Sequence, residues 1–267
     1  QLAAAGDSYN TAVYLARAGI PTDYLTCLGD DPLSSSLMAH MREQGIGCEQ
    51  VRILPGRQAG IYMVSNDAEG ERQFTYWRRD SAARALFEDP LNLNGLSGFY
   101  FTGITLAIAR SGIDNLQRLL AHLREASCAI IFDPNYRPAL WDDGDQAREI
   151  IRKILPLCDL VLPTLEDEHQ LWGIDDVKDC VAFYRDLGVG EVVVKAPDLT
   201  AHVWTPTVQV SRPAARVAPL DTTGAGDAFN AGYLSVRLGE GEIDAALAAA
   251  QALSARVVQH RGAILPA

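Results

Sequence analysis

The 267-residue chain is 48% apolar and carries 34 Asp and Glu against 23 Lys and Arg, a formal net charge of −11. That balance excludes nucleic acid as a partner, since a phosphate backbone needs a basic footprint, and no apolar run approaches the ~20 residues that cross a bilayer. The five cysteines (Cys27, Cys48, Cys128, Cys158 and Cys180) form no C-x-x-C pair, which excludes a thiolate zinc site or dithiol redox motif.

Cys27, Cys128 and Cys158 sit in or beside apolar runs and read as small buried hydrophobes. With no signal-peptide pattern, a reducing cytoplasm is the expected compartment. The opening Gln1-Leu2-Ala3-Ala4-Ala5 has no initiating Met and reads as the interior of a domain, so a preceding segment of that domain is expected.

In chain order, the pattern predicts a strand over 23–28 and a helix over 32–44. A strand over 98–102, a helix over 113–126 and a strand over 128–132 follow, then a helix over 147–154 and a strand over 160–162. A helix over 175–187, a strand over 192–195 and helices over 226–238 and 243–259 close the chain. Nearly all-apolar strands alternating with amphipathic helices imply a mostly parallel sheet covered on both faces, a three-layer α/β/α sandwich.

Residues 48–79 break the rhythm. Three strand-like runs over 49–54, 60–65 and 72–78 are separated by Pro55-Gly56 and by the turn-rich 66–70. The reading is a small antiparallel β-sheet inserted into a body made of 1–47 and 80–267. Such an insertion has too little core to stand alone, so it must pack on the body, a substrate or a second subunit.

The segment Asp221-Thr222-Thr223-Gly224-Ala225-Gly226-Asp227-Ala228-Phe229-Asn230 runs directly into a helical pattern. Glycines allow a tight turn whose N–H groups converge, and a helix start adds unpaired donors and the positive end of its dipole. That is a cradle for phosphate oxygens. An acid inside it, Asp227, is electrostatically wasteful unless it moves a proton: it can deprotonate an attacking hydroxyl while Gly224, Ala225 and Gly226 form an anion hole. With a net negative chain, any anionic substrate needs cations placed locally.

D-T-T-G-A-G-D-A-F resembles the C-terminal signature of the ribokinase-like (PfkB) carbohydrate kinases, and the likeness extends over essentially the whole chain. No G-x-x-x-x-G-K-[ST] or G-x-G-x-x-G competes with it. The resemblance implies a ribokinase-like fold in which 48–79 is a β-sheet lid, with ATP and Mg²⁺ as cofactors and Asp227 as catalytic base. It identifies Gly6 and Asn10, in Gly6-Asp7-Ser8-Tyr9-Asn10, as lining the sugar pocket, and Gly224 and Gly226 as contacting the nucleotide. It also implies pairing of two subunits through the lid.

Within the family, three stretches resemble the kinases that act on 2-keto-3-deoxygluconate. They are Asp133-Pro134-Asn135-Tyr136-Arg137 with Trp141, Tyr76-Trp77-Arg78, and Gln259-His260-Arg261-Gly262-Ala263. The implied reaction is ATP-dependent phosphorylation at the C6 hydroxyl, with Arg137, Arg78 and Tyr76 holding the sugar acid. Guanidinium forks suit a carboxylate, and Arg137 follows a strand's carboxyl end, where open α/β sheets bind ligands. Arg79 falls on the opposite strand face from Arg78 and Tyr76. Tyr62 reads equally as a pocket residue or an exposed tyrosine.

Lys195 closes an apolar strand, and the resemblance places it beside the ATP phosphates; a lysine snorkelling from a strand end is the alternative. The family's usual K-x-G-x-x-G is here Lys195-Ala196-Pro197-Asp198-Leu199-Thr200. Thr164-x-x-Asp167 stands where relatives carry N-x-x-E, and it reads as a capping box ahead of indirect support for magnesium. The histidines have no metal spacing and no direct metal ligand is assigned. A kinase of fructose or ribose would not need Arg78 or Arg137, and a non-catalytic sugar-acid sensor would not need Asp227.

Overall fold

The computed structural model describes residues 3–66 and 72–266. Four neighbouring strands of the body's sheet follow the predicted alternation. Strands β5 (Gly98–Thr102), β6 (Ala129–Asp133), β7 (Leu160–Val161) and β8 (Glu191–Lys195) run parallel in that order, and β9 (Thr200–Trp204) and β10 (Gln209–Pro213) continue the sheet antiparallel.

Residue alternation along the strands assigns the two faces. Ile130 and Phe132 of β6, Val161 of β7, and Val192 and Val194 of β8 pack into one core. On that side lie α3 (Gly103–Ile108), α4 (Ile113–Glu125), α5 (Gly144–Ile154), α6 (Leu165–Trp172) and α7 (Val177–Asp186). Ile131, Leu160, Leu162 and Val193 point the other way, against α1 (Asp7–Arg17), α8 (Ala225–Arg237) and α9 (Ile243–Val257). A period of two on strands buried on both sides gives the expected α/β/α sandwich.

The helices form for local reasons that their burial confirms. In α4, Ile113, Leu116, Leu120 and Leu123 make one apolar stripe and are all buried. Each such leucine stabilises the fold by roughly 1.5–3 kcal/mol through burial. Asp31, Asp143 and Asp176 accept backbone N–H bonds at the starts of α2 (Pro32–Glu43), α5 and α7. Between α8 and α9, a Cβ on Gly232 would sit 2.7 Å from the Ala250 Cα, so glycine there lets the two helices close.

The insertion differs from expectation. β2 (Val51–Leu54) pairs in parallel with β1 (Thr26–Gly29), from Thr26↔Val51 to Gly29↔Leu54, instead of joining an antiparallel sheet. Only β3 (Ile61–Asn66) and β4 (Arg72–Trp77) make the antiparallel hairpin, with Tyr62 opposite Tyr76. Four buried residues in β1 give a stronger template for pairing than the start of β3, where Ile61 and Tyr62 are half-buried and Met63 is exposed. Of the turn expected over 66–70, residues 67–70 lie outside the described residues, as do Gln1 and Leu2 of the opening segment.

Cys27, Cys128 and Cys158 are buried and, with the other two cysteines, carry free thiols. Among the described residues, no helix is long and apolar enough to cross a membrane.

Candidate active site

A cavity of about 1240 Å³ opens at the carboxyl ends of β5, β6 and β8. Residues of the predicted site that line it are Gly6, Asn10, Tyr62, Tyr76, Arg78, Arg137, Lys195 and the run Gly224–Asp227. The space also continues between the outer edges of β5 and β1, which among the described residues pair only with β6 and β2 respectively.

Gly224 starts α8 in the left-handed region at φ 76°, and a Cβ there would lie 2.6 Å from the Ala263 Cβ. Only glycine meets both conditions at low cost. The turn is held from one side by Asp221, whose carboxylate accepts the N–H of Thr223 at 2.8 Å and of Gly262 at 2.9 Å. From the other side, Tyr14 donates its hydroxyl to the Ala263 carbonyl at 2.8 Å. Gly262 and Ala263, at the end of the 259–263 stretch, therefore buttress the glycine turn.

No side chain caps the start of α8. The Ala225 N–H donates to the Thr222 carbonyl at 3.2 Å, whereas the N–H groups of Gly224 and Gly226 find no acceptor among the described residues. The expected three-amide anion hole thus has two amides available and one occupied by the turn itself.

Asp227 lies in the first turn of α8. Its Oδ2 accepts the Asn10 side-chain amide at 2.7 Å, and Asn10 is only 4% exposed. Burial, then the facing Asp7 carboxylate, raises the Asp227 carboxyl from the ordinary carboxylate range to about 8, with the Asn10 bond opposing the shift. A carboxyl tuned to that range suits proton abstraction near neutral pH.

Lys195 is not a snorkelling surface residue: its side chain is 13% exposed. Its Nζ donates to the Asn230 Oδ1 at 3.0 Å and lies 3.6 Å from the Asp133 Oδ2. Asn230 in turn donates to Asp133 at 2.7 Å and to the Tyr100 hydroxyl at 3.1 Å. Asn135, at φ 32°, caps Asp133 through its backbone N–H and donates its side chain to Asp7 at 3.1 Å, where the Thr102 hydroxyl also binds.

Sequence reasoning missed these participants. Asp7, Asp133, Asn135 and Asn230 were all within the quoted motifs, Asn230 one helical turn after Asp227, but nothing in their order said that they would touch. The Lys195–Thr200 segment is a tight turn into β9, with Leu199 at φ 70°.

On the hairpin, the Arg78 guanidinium stacks 4.0 Å from the Tyr76 ring centre, and the Tyr62 and Tyr76 rings lie 6.1 Å apart. Burial raises the Tyr62 hydroxyl above its ordinary range. Arg79 is exposed and is not among the lining residues. Arg137 lines the cavity and meets Asp167 at 3.1 Å. Thr164 makes no side-chain cap bond, so the expected capping box does not form.

The profile of the pfkB family carbohydrate kinases matches residues 1–267. The chain belongs to this family. The kinase is 36% identical over 280 residues to the 2-dehydro-3-deoxygluconokinase of Dickeya dadantii, covering 98% of this chain and 89% of that protein. It is 34% identical to the enzyme of the same name from Escherichia coli K12, with the same two coverages. Among solved structures, it superposes with a TM-score of 0.84 on aminoimidazole riboside kinase from Salmonella enterica in complex with aminoimidazole riboside and an ATP analogue. There the identity is 26%, covering 97% of this chain and 87% of that one. The kinase is thus a ribokinase-like, ATP-dependent sugar kinase, and kinases of its family use ATP with a divalent metal. Among its described residues no three His, Cys, Asp or Glu side chains cluster as metal ligands.

Proposed function

We propose that this kinase phosphorylates the C6 hydroxyl of 2-keto-3-deoxy-D-gluconate (2-dehydro-3-deoxygluconate) with ATP. The observation that carries the reading is the placement of one carboxylate, Asp227, inside an amide-lined helix start, in a cavity that also presents two guanidinium groups. The names of the relatives from Dickeya dadantii and Escherichia coli support the same substrate.

In the proposed reaction, the Asp227 carboxylate takes the proton of the C6 hydroxyl as that oxygen attacks the γ-phosphorus of ATP. The new O–P bond forms in line with the breaking bond to the β-phosphate oxygen, and ADP leaves. The amides of Gly224 and Gly226 stabilise charge on the transferring group. Mg²⁺, when bound, neutralises phosphate charge. Lys195 adds positive charge at the nucleotide side, held in place by Asn230 and Asp133.

Arg137, Arg78 and Tyr76 hold the sugar acid, Gly6 and Asn10 line the pocket floor, and Tyr62 borders the same space. The paired strands β3 and β4 act as a lid that excludes water over the reacting groups. Its outer face exposes Met63 at 49% and Trp77 at 55%, which supports pairing of two copies through the lid; a monomer in sedimentation at micromolar concentration would remove that element.

The test is ADP release with MgATP and 2-keto-3-deoxygluconate, its galactonate-derived epimer, gluconate, fructose and ribose. Selective turnover of the keto-deoxy acids is expected. Preference for fructose or ribose would retain the phosphoryl-transfer apparatus and sink the carboxylate-reading role of the arginines.

A further inference from the structure

Asp167 lies in the first turn of α6, with its side chain only 13% exposed. Both of its oxygens accept from one nitrogen of Arg137, the Nη1, at 3.1 Å each. The same Nη1 donates to the Tyr136 carbonyl at 2.7 Å. Among the described residues, the Nε and Nη2 of Arg137 have no acceptor. Those two nitrogens form the edge along which a guanidinium takes a carboxylate with two parallel bonds. Arg137 borders the cavity, while Asp167 stands behind it and is not among the lining residues.

We infer that Asp167 is a positioning residue for substrate recognition: it anchors the Nη1 end of Arg137 and leaves the Nε–Nη2 edge directed at the substrate carboxylate. The inference rests on the proposed reading of Arg137. Its physical content is preorganisation. The Arg137 side chain is half-exposed at 50% and would otherwise sample many rotamers, so fixing one end removes ordering cost at the moment of binding. A carboxylate behind the guanidinium also lowers the net positive charge facing the pocket. Recognition then depends on the two-bond geometry more than on charge alone, which favours a planar carboxylate over other anions.

The experiment is a double-mutant cycle on the full chain, with initial rates measured against 2-keto-3-deoxygluconate at saturating MgATP. Asp167→Ala is expected to raise KM for the sugar acid about 10-fold, leaving kcat and the KM for MgATP within about twofold. Arg137→Ala is expected to raise the same KM by about 100-fold. Adding Asp167→Ala to the Arg137→Ala enzyme should then change nothing further, because the anchored group is gone.

Equal fold-losses in the two backgrounds, or a loss confined to kcat, would overturn the inference and assign Asp167 to another role. An Arg137→Ala enzyme with unchanged KM would overturn the reading of Arg137 itself, a separate and recognisable outcome. Should Asp167→Ala fail to fold by circular dichroism, Asp167→Asn replaces it in the same cycle. Asparagine keeps the shape and one acceptor for Nη1 and should give a smaller KM increase that again vanishes without Arg137.

Discussion

The bond from Asn10 to Asp227 joins residues 217 positions apart and bears directly on the proposed base. In Asn10→Ala the Asp227 carboxylate loses its side-chain donor while its burial and the neighbouring Asp7 remain. A hydrogen bond to a charged group contributes roughly 1.5–3 kcal/mol, and one pKa unit corresponds to about 1.36 kcal/mol. Losing it from the ionised form therefore raises the carboxyl by about one to two units, from about 8. The base must be deprotonated to act, so the acidic limb of kcat/KM should move to higher pH by the same amount. At pH 7 the ionised fraction then falls by about 10- to 100-fold. The assay is kcat/KM for the sugar acid between pH 6 and 10 at fixed, saturating MgATP, in wild type and variant. Nucleotide charges shift both limbs alike, so the difference between them is the quantity read. An unmoved limb with a lower plateau would refute the reasoning, showing that Asn10 serves the substrate and not the ionisation of Asp227.

Two further variants test the cradle. Asp227→Asn should cut kcat by about 10²–10⁴-fold with little change in the KM for either substrate. It should also be more stable than wild type in the absence of ligands. The folded carboxyl is raised to about 8 from 3.8, so the unfolded chain releases this proton first and wild-type stability falls as pH rises from about 4 to about 8; denaturation midpoints at pH 5 and pH 8 should show the gap between the proteins widening. Gly224→Ala, at φ 76° and 2.6 Å from the Ala263 Cβ, should lose at least about 1–2 kcal/mol of stability and about 10²–10³ in kcat. Gly226→Ala, with nothing within 4 Å of its added Cβ, should be no less stable than wild type by the same denaturation.

Local pattern was sufficient for the body of the fold. Periods near 3.6 and 2 decide which faces are buried, so the alternation of α4, β6, α5, β7, α7 and β8 was legible without coordinates. The turn Gly224–Gly226 and the acid that follows it were legible for the same reason, since glycine conformation and a helix start are properties of adjacent residues. The short strands β9 and β10 were not foreseen: only two of the five residues of β9 and none of β10 are buried, which leaves little hydrophobic contrast to read.

Pairing and contact belong to the tertiary structure. A strand's sequence does not say which edge it will join, and β2 sits beside β1 because β1 offers a buried parallel partner. The capping box at Thr164 and Asp167 fitted the sequence pattern, yet Asp167 turns instead to Arg137, 30 residues away in the chain. A charged guanidinium outcompetes a backbone N–H for a carboxylate. Asp227 could be named as a base from its neighbours. Its raised pKa, its bond to Asn10 and the Lys195–Asn230–Asp133 network follow only from the burial and long-range contacts that the fold creates.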